Sequence, residues 1–134
     1  MTLQIIIDSN ILLLVAEGQF NLHAEIERLV PQKHRLIFLS SCVEELDLVA
    51  KKSRKLASRV RLAKEISSKL EIIDNENSGQ KFVDDKILEY AIANQPCVVA
   101  TNDKALKVKI RKQQIPVIFV KTKSHLELLG SILV

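Results

Sequence analysis

Four carboxylates stand where they can do chemistry together: Asp8, Glu45, Asp84 and Asp103. Asp8 ends the β-branched run Ile5-Ile6-Ile7 and is followed by two small polar residues, Ser9 and Asn10. Such a run fits a strand buried on both faces of a parallel sheet, and open α/β sheets bind ligands outside the carboxyl ends of their strands. Asp103 closes Thr101-Asn102-Asp103 directly after a second apolar run, Cys97 to Ala100. Glu45 falls in the first turn of a helix after another strand, and Asp84 opens a helix, so all four can share one end of the sheet. Carboxylates packed together repel and raise one another's pKa. A hard divalent cation removes that conflict, because Mg²⁺ prefers oxygen ligands. Four acids around one or two Mg²⁺ or Mn²⁺ ions suit phosphodiester hydrolysis by water, with a second ion about 3.5–4 Å from the first steadying the leaving oxygen. No side-chain nucleophile is required. Two of these positions also have a plainer reading: Asp8 as a helix cap, and Asp84 with Asp85 as first-turn partners of a helix dipole.

The elements that must position these acids alternate between strand and helix. After the first strand, Ile11 to Ala16 predicts a short apolar helix stopped at Gly18, and Asn21 caps a second helix, Leu22 to Val30, ended by Pro31. Leu36 to Leu39 is a second strand. Ser41 and Glu44 stand at capping-box spacing ahead of the next helix, which gives Glu44 a structural task and leaves Glu45 free. From Lys51 to Lys69 the residues Leu56, Val60, Ala63, Ile66 or Ser67, and Leu70 recur at helical spacing. Glu71 to Ile73 is a short strand, and a polar loop from Asp74 to Gln80 leads to a helix with Val83, Ile87, Leu88 and Ala91 on one face, ended by Asn94-Gln95-Pro96. Cys97 to Ala100 is the fourth strand, Lys104 to Gln113 a basic helix, and Val117 to Val120 the fifth strand. Ser124 to Leu129 is expected to be a short helix with an apolar face. The alternation predicts an α/β fold, a parallel sheet with helices on both faces, in one domain over residues 1–134.

Net charge is +4, but the charges are segregated. Residues 1–50 sum to −4, 51–69 to +7, 70–103 to −5 and 104–134 to +6. An acidic site flanked by basic surface suits a polyanion handled through metal ions. Lys51, Lys52, Arg54, Lys55, Arg59 and Arg61 in one segment, with Lys104, Lys107 and Arg111 in the other, are the candidate phosphate contacts, although a basic helix face is often merely solvated. No apolar run reaches the roughly 18 residues of a membrane span, and no basic segment precedes the first apolar run as in a signal peptide. Cys42 and Cys97 lack CxxC or Cys/His spacing and read as small buried residues of a reducing compartment. A cytoplasmic protein is the expectation. His23, His34 and His125 have no acid or Ser partner at a telling position.

With these residues in hand, the sequence resembles the PIN domain family of metal-dependent ribonucleases. The matching pieces are IIIDSN, SSCVEEL, the DDKILEYA helix, and VVATNDKALKVKIRK followed by IPVIFV. They lie over nearly the whole chain in the family's order, and the last looks most like the archaeal and eukaryotic Fcf1-type branch linked to ribosomal RNA processing. The resemblance implies a three-layer α/β/α sandwich around a central parallel sheet. It implies that Asp8, Glu45, Asp84 and Asp103 bind Mg²⁺ or Mn²⁺, directly or through water, and that Asn10, Thr101, Asn102 and Asp85 support them. Asp84 rather than Asp85 fits the family spacing Asp-x-x-Ile-x-x-x-Ala through Ile87 and Ala91. The chain lacks the cysteine-rich metal segment of some larger relatives, so no zinc is expected.

The leading expectation is therefore an Mg²⁺/Mn²⁺-dependent endoribonuclease acting on structured ribosomal RNA. A toxin ribonuclease of the VapC type, blocked by a small antitoxin, belongs to a related branch. A non-catalytic RNA-binding or assembly protein would keep the fold without needing the acids. A receiver or haloacid-dehalogenase domain also places an Asp after its first strand. The former calls for paired acids there and the latter for Asp-x-Asp, whereas Asp8 stands alone and position 10 is Asn. A homodimer is possible, through the apolar face of Ile11 to Ala16 or through the tail helix.

Overall fold

The computed structural model describes residues 2–132. Its centre is β1 (Leu3–Ile7), whose Ile5, Ile6 and Ile7 are completely buried. β1 pairs in parallel with β2 (His34–Leu39) on one side and β4 (Cys97–Ala100) on the other. Strands β3 (Glu71–Ile73) and β5 (Val117–Thr122) extend the parallel sheet outward, and β6 (His125–Leu129) returns antiparallel along β5. The strand order is β3-β2-β1-β4-β5-β6. Passing from β1 to β3 the chain moves one way across the sheet, and from β4 to β5 it moves the other. Right-handed crossovers then put the connecting helices on opposite faces. Helices α1 (Ser9–Ala16), α3 (Ser40–Ala50) and α4 (Arg54–Ser67) pack together, while α5 (Val83–Ala93) and α6 (Lys104–Lys112) pack together over β4 and β5. The result, among the described residues, is an α/β fold with a mostly parallel six-stranded central sheet and six helices, as the alternation of elements implied. One continuous apolar cluster built mainly from Leu, Ile, Val and Ala, with Phe20, Phe38 and the two cysteines, runs through it. No helix of the described residues is long and apolar enough to cross a membrane.

Two sequence expectations are corrected. The tail from Ser124 to Leu129 is not a helix. His125–Leu129 is β6, because β5 runs on to Thr122 and the turn that follows returns the chain along its free edge. Leu126 enters the core, and α2 (Leu22–Leu29) covers the strand: Glu25 accepts from the Leu126 backbone N–H at 2.7 Å and Arg28 donates to its carbonyl at 2.6 Å. Satisfying both backbone groups in this way blunts an exposed sheet edge. The tail therefore offers no helical face for a dimer, and Ile11 and Leu12 of α1 are spent in the core.

The expected capping box of Ser41 and Glu44 does not form. α3 already starts at Ser40, so Ser41 lies inside the helix, and Glu44 is exposed. The open N-terminus is instead capped from a distance by Asn75, just beyond β3. Asn75 Oδ1 accepts from Ser40 Oγ at 2.9 Å and from the Ser41 backbone N–H at 3.0 Å. Its Nδ2 donates to Ser41 Oγ at 2.9 Å, and its backbone N–H donates to Ser40 Oγ at 3.0 Å. One side chain thereby ties the loop after β3 to the helix that carries Glu45. Asn75→Ala removes a cap and orphans the partly buried Ser41 groups, at an expected cost of about 1–2 kcal/mol in urea denaturation. No change in the denaturation midpoint would refute that role.

Candidate active site

The sequence reverses direction in the sheet between β1 and β4, and a crevice at such a switch point is where open α/β sheets bind ligands. Ile7 is in register with Ala100, and the Asp8 backbone N–H donates to the Ala100 carbonyl at 2.9 Å, so Asp8 and Thr101 leave the sheet side by side. Asp8 holds the N-cap position of α1, yet its side chain makes no cap bond. It is 3% exposed and turns instead toward its neighbours. Thr101 Oγ1 donates to Asp8 Oδ2 at 2.7 Å, and Asn10 Nδ2 donates to the same oxygen at 3.2 Å. The plain helix-cap reading of Asp8 therefore fails. Asp103 does cap its helix, α6: Oδ1 accepts from the backbone N–H groups of Ala105 at 2.8 Å and Leu106 at 3.2 Å.

The other acids arrive from α3 and α5. Ser9 Oγ donates to Glu45 Oε1 and lies 3.4 Å from Asp8 Oδ1, bridging β1 and α3 across the site. Asp84 lies within hydrogen-bonding reach of Asp103 and feels the charge of Glu45. Asp8 feels both Glu45 and Asp84. All four acids named from the sequence are thus gathered at one end of the sheet. Asp85 is not among them. It turns to Lys109 on α6, at 3.2 Å.

The polar residues expected to support the acids divide by task. Thr101 is fully buried and also accepts from the Asp103 backbone N–H at 3.1 Å, linking two acids through one hydroxyl. Asn10 Oδ1 accepts from the Asn102 backbone N–H at 3.0 Å. Asn102 thereby contributes its backbone, while its side chain is exposed. Sequence reasoning missed Ser9 and Asn75. Ser9 stood inside the IIIDSN piece as a polar residue opening a buried helix face; Asn75 gave no local signal, because its partners lie 34 and 35 residues away.

Electrostatics in the crevice follow from burial and like charge. Loss of hydration pushes Asp8 up to about 6, aided by Glu45 and Asp84 and opposed by the Thr101 hydrogen bond. Asp84 is likewise raised to about 6, first by burial and then by Asp103 and Glu45, with Lys109 opposing. Loss of hydration pushes the buried Cys42 thiol well above the ordinary range, aided by the charges of Asp8 and Glu45, so it stays neutral. Cys42 and Cys97 are both free thiols, as expected. The donors facing the crevice are therefore carboxylate oxygens, the set a hard divalent cation takes. Among the described residues, however, no three acidic, His or Cys side chains already close around a single point. The acids stand as two pairs, Asp8 with Glu45 through Ser9, and Asp84 with Asp103.

Several of the expected phosphate contacts are otherwise engaged. Arg59 pairs with Glu17 on α1, and Arg111 donates to the Ile115 carbonyl at 3.1 Å at the end of α6 remote from Asp103. Lys107 lies over the Phe119 ring at 4.1 Å. Lys51, Lys52, Arg54, Lys55, Arg61 and Lys104 are exposed and take part in none of the ion pairs among the described residues.

Comparison with known proteins agrees with this architecture. Residues 5–123 match the model of a PIN like domain. The chain is 35% identical over 130 residues to a curated protein of Methanocaldococcus jannaschii called Ribonuclease VapC4, covering 96% of this chain and 98% of that one. It also superposes on the solved structure of the PIN domain endonuclease Utp24 with a TM-score of 0.76 and 26% identity, over 97% of this chain and 95% of the other. With a family model covering most of its length and a relative aligned almost end to end, the chain belongs to the PIN-like domain family.

Proposed function

We propose that the protein is a divalent-metal-dependent endoribonuclease whose site is the crevice between β1 and β4. The observation that carries this reading is that Asp8 with Glu45 and Asp84 with Asp103, drawn from four separate elements, stand as two neighbouring pairs at the sheet's switch point. Burying carboxylates beside one another costs stability unless a cation joins them, so the arrangement is best accounted for by the ion it would hold. Asp8 and Asp103 at the strand ends, with Glu45 and Asp84 from the helices, would supply oxygen ligands to Mg²⁺ or Mn²⁺. Bound there, such an ion supplies Lewis acidity toward water and phosphate. Thr101, Asn10 and Ser9 keep the carboxylate oxygens aimed. The relative named as a ribonuclease and the structural neighbour named as an endonuclease support RNA as substrate and internal cleavage as the reaction.

Exposed bases add a second support. Arg54 and Lys55 open α4, where the helix dipole disfavours positive charge, and Lys51 and Lys52 crowd beside them from the end of α3. A bound polyanion offsets that conflict. Cleavage is expected to require Mg²⁺ or Mn²⁺ and to vanish with EDTA, and RNA affinity to fall steeply as salt rises. Cleavage persisting at full rate in excess EDTA would refute the metal reading.

Two cellular roles fit such an activity: maturation of ribosomal RNA, and a toxin of the VapC type held inactive by a small antitoxin. The likeness to Ribonuclease VapC4 over nearly both full lengths favours the second. A small protein encoded beside this one that blocks cleavage when mixed with it would support the toxin role. A single cut in a ribosomal precursor would support the other.

A further inference from the structure

The chain has few aromatic rings: four Phe, one Tyr and no Trp. Phe20 and Phe38 belong to the core. Tyr90 is partly buried and donates to Gln4 Oε1 at 2.6 Å, and Phe119 is half-buried under the Lys107 ammonium. Phe82 alone stays open. It is 64% exposed, more than any other large apolar side chain among the described residues. It occupies the N-cap of α5, a position that favours Ser, Thr, Asp or Asn, and contributes no cap bond. Phe82 therefore serves neither the core nor the helix end.

Its position is informative. Asp84 is two residues on, at most about 7 Å along the backbone and so within roughly two stacked nucleotide steps. Lys81 stands beside it, its ammonium 5.8 Å from the ring centroid, and both residues are exposed. Flat rings next to a cation are how proteins hold unpaired bases, the ring stacking on the base and the cation meeting the phosphate. We propose that Phe82 is a stacking platform for an unpaired base beside the scissile phosphate, with Lys81 on the adjoining phosphate. The site would then prefer single strands, loops or bulges, because duplex bases already stack on each other. This rests on the ribonuclease reading and adds a specificity-determining residue to it.

The test measures cleavage of a short single-stranded oligoribonucleotide in Mg²⁺ by the full chain and by Phe82→Ala, Phe82→Leu and Phe82→Trp. Phe82→Ala is expected to raise KM about tenfold to a hundredfold with kcat within about twofold. Phe82→Trp restores KM, whereas Phe82→Leu does not. An abasic nucleotide beside the cut erases the difference between wild type and Phe82→Ala. An unchanged KM in Phe82→Ala, or rescue by Leu equal to that by Trp, overturns the inference. A binding arm separates its failure from that of the ribonuclease reading: the same labelled strand is titrated onto Asp8→Asn with and without Phe82→Ala. Equal affinities there overturn the platform even if the wild type cleaves RNA. A weakened double variant supports the platform even if no cleavage is seen.

Discussion

Replacing Asp8 by Asn is expected to abolish RNA cleavage while making the metal-free fold more stable at neutral pH. The activity side follows from position. Asp8 is the most buried of the four acids and the one in electrostatic contact with both Glu45 and Asp84. Removing its charge takes away a central ligand for the proposed ion, a loss of several kcal/mol that lowers kcat by about a thousandfold or more. The stability side follows from its pKa. A shift from 3.8 to about 6 means that folding pays to keep the charged form buried, about 3 kcal/mol above pH 7. The amide retains the contacts. Its oxygen can accept from Thr101 and Asn10 as Oδ2 does, and its nitrogen can donate to Ser9 Oγ, which itself donates to Glu45. Urea denaturation in EDTA at pH 7.5 should show a gain of about 1–3 kcal/mol. A variant that cleaves at the wild-type rate would end the catalytic reading, and one that unfolds more easily would show that the Asp8 charge is not a burden to the fold.

Asp8 also shows why the candidate site stood out in the sequence. Asp8 and Asp103 interrupt the chain where apolar strands end, and polar residues at such places demand an explanation that propensity does not supply. Strands β1, β2, β4 and β5 were legible for a related reason: the stretches of them that lie in the core are nearly continuous apolar runs. β6 was misread because His125-Leu126-Glu127-Leu128-Leu129 is too short to separate a helical stripe from a strand alternation. What decides it is the free edge of β5, a partner that no local pattern shows. Ser41 and Glu44 mislead in the same way. Their spacing is that of a capping box, but Asn75 reaches the helix end first, from beyond β3. Asp84 and Asp85 differ by about 100° around α5, enough to send one toward Asp103 and the other toward Lys109.

The second large effect expected is a dependence of metal stabilisation on pH. For a carboxylate whose folded pKa lies above its unfolded value, the folded state binds more protons between the two, so stability falls as pH rises through that window. For Asp8 the window runs from 3.8 to about 6, and Asp84 adds a smaller effect of the same sign because it is only partly buried. The metal-free wild type should therefore lose stability relative to Asp8→Asn between pH 4 and pH 6.5, and the difference should level off above that. Mg²⁺ acts against the same charges and has nothing to neutralise once they are protonated. At about a hundredfold above its Kd it should stabilise the wild type by about 2.7 kcal/mol at pH 8, roughly 10 °C in Tm for a chain of this size, and by little at pH 4.5. In Asp8→Asn the gain at pH 8 should shrink by most of that amount. Equal shifts at the two pH values, or equal shifts in wild type and variant, would mean that Mg²⁺ binds elsewhere, and the crevice between β1 and β4 would lose its claim to the ion.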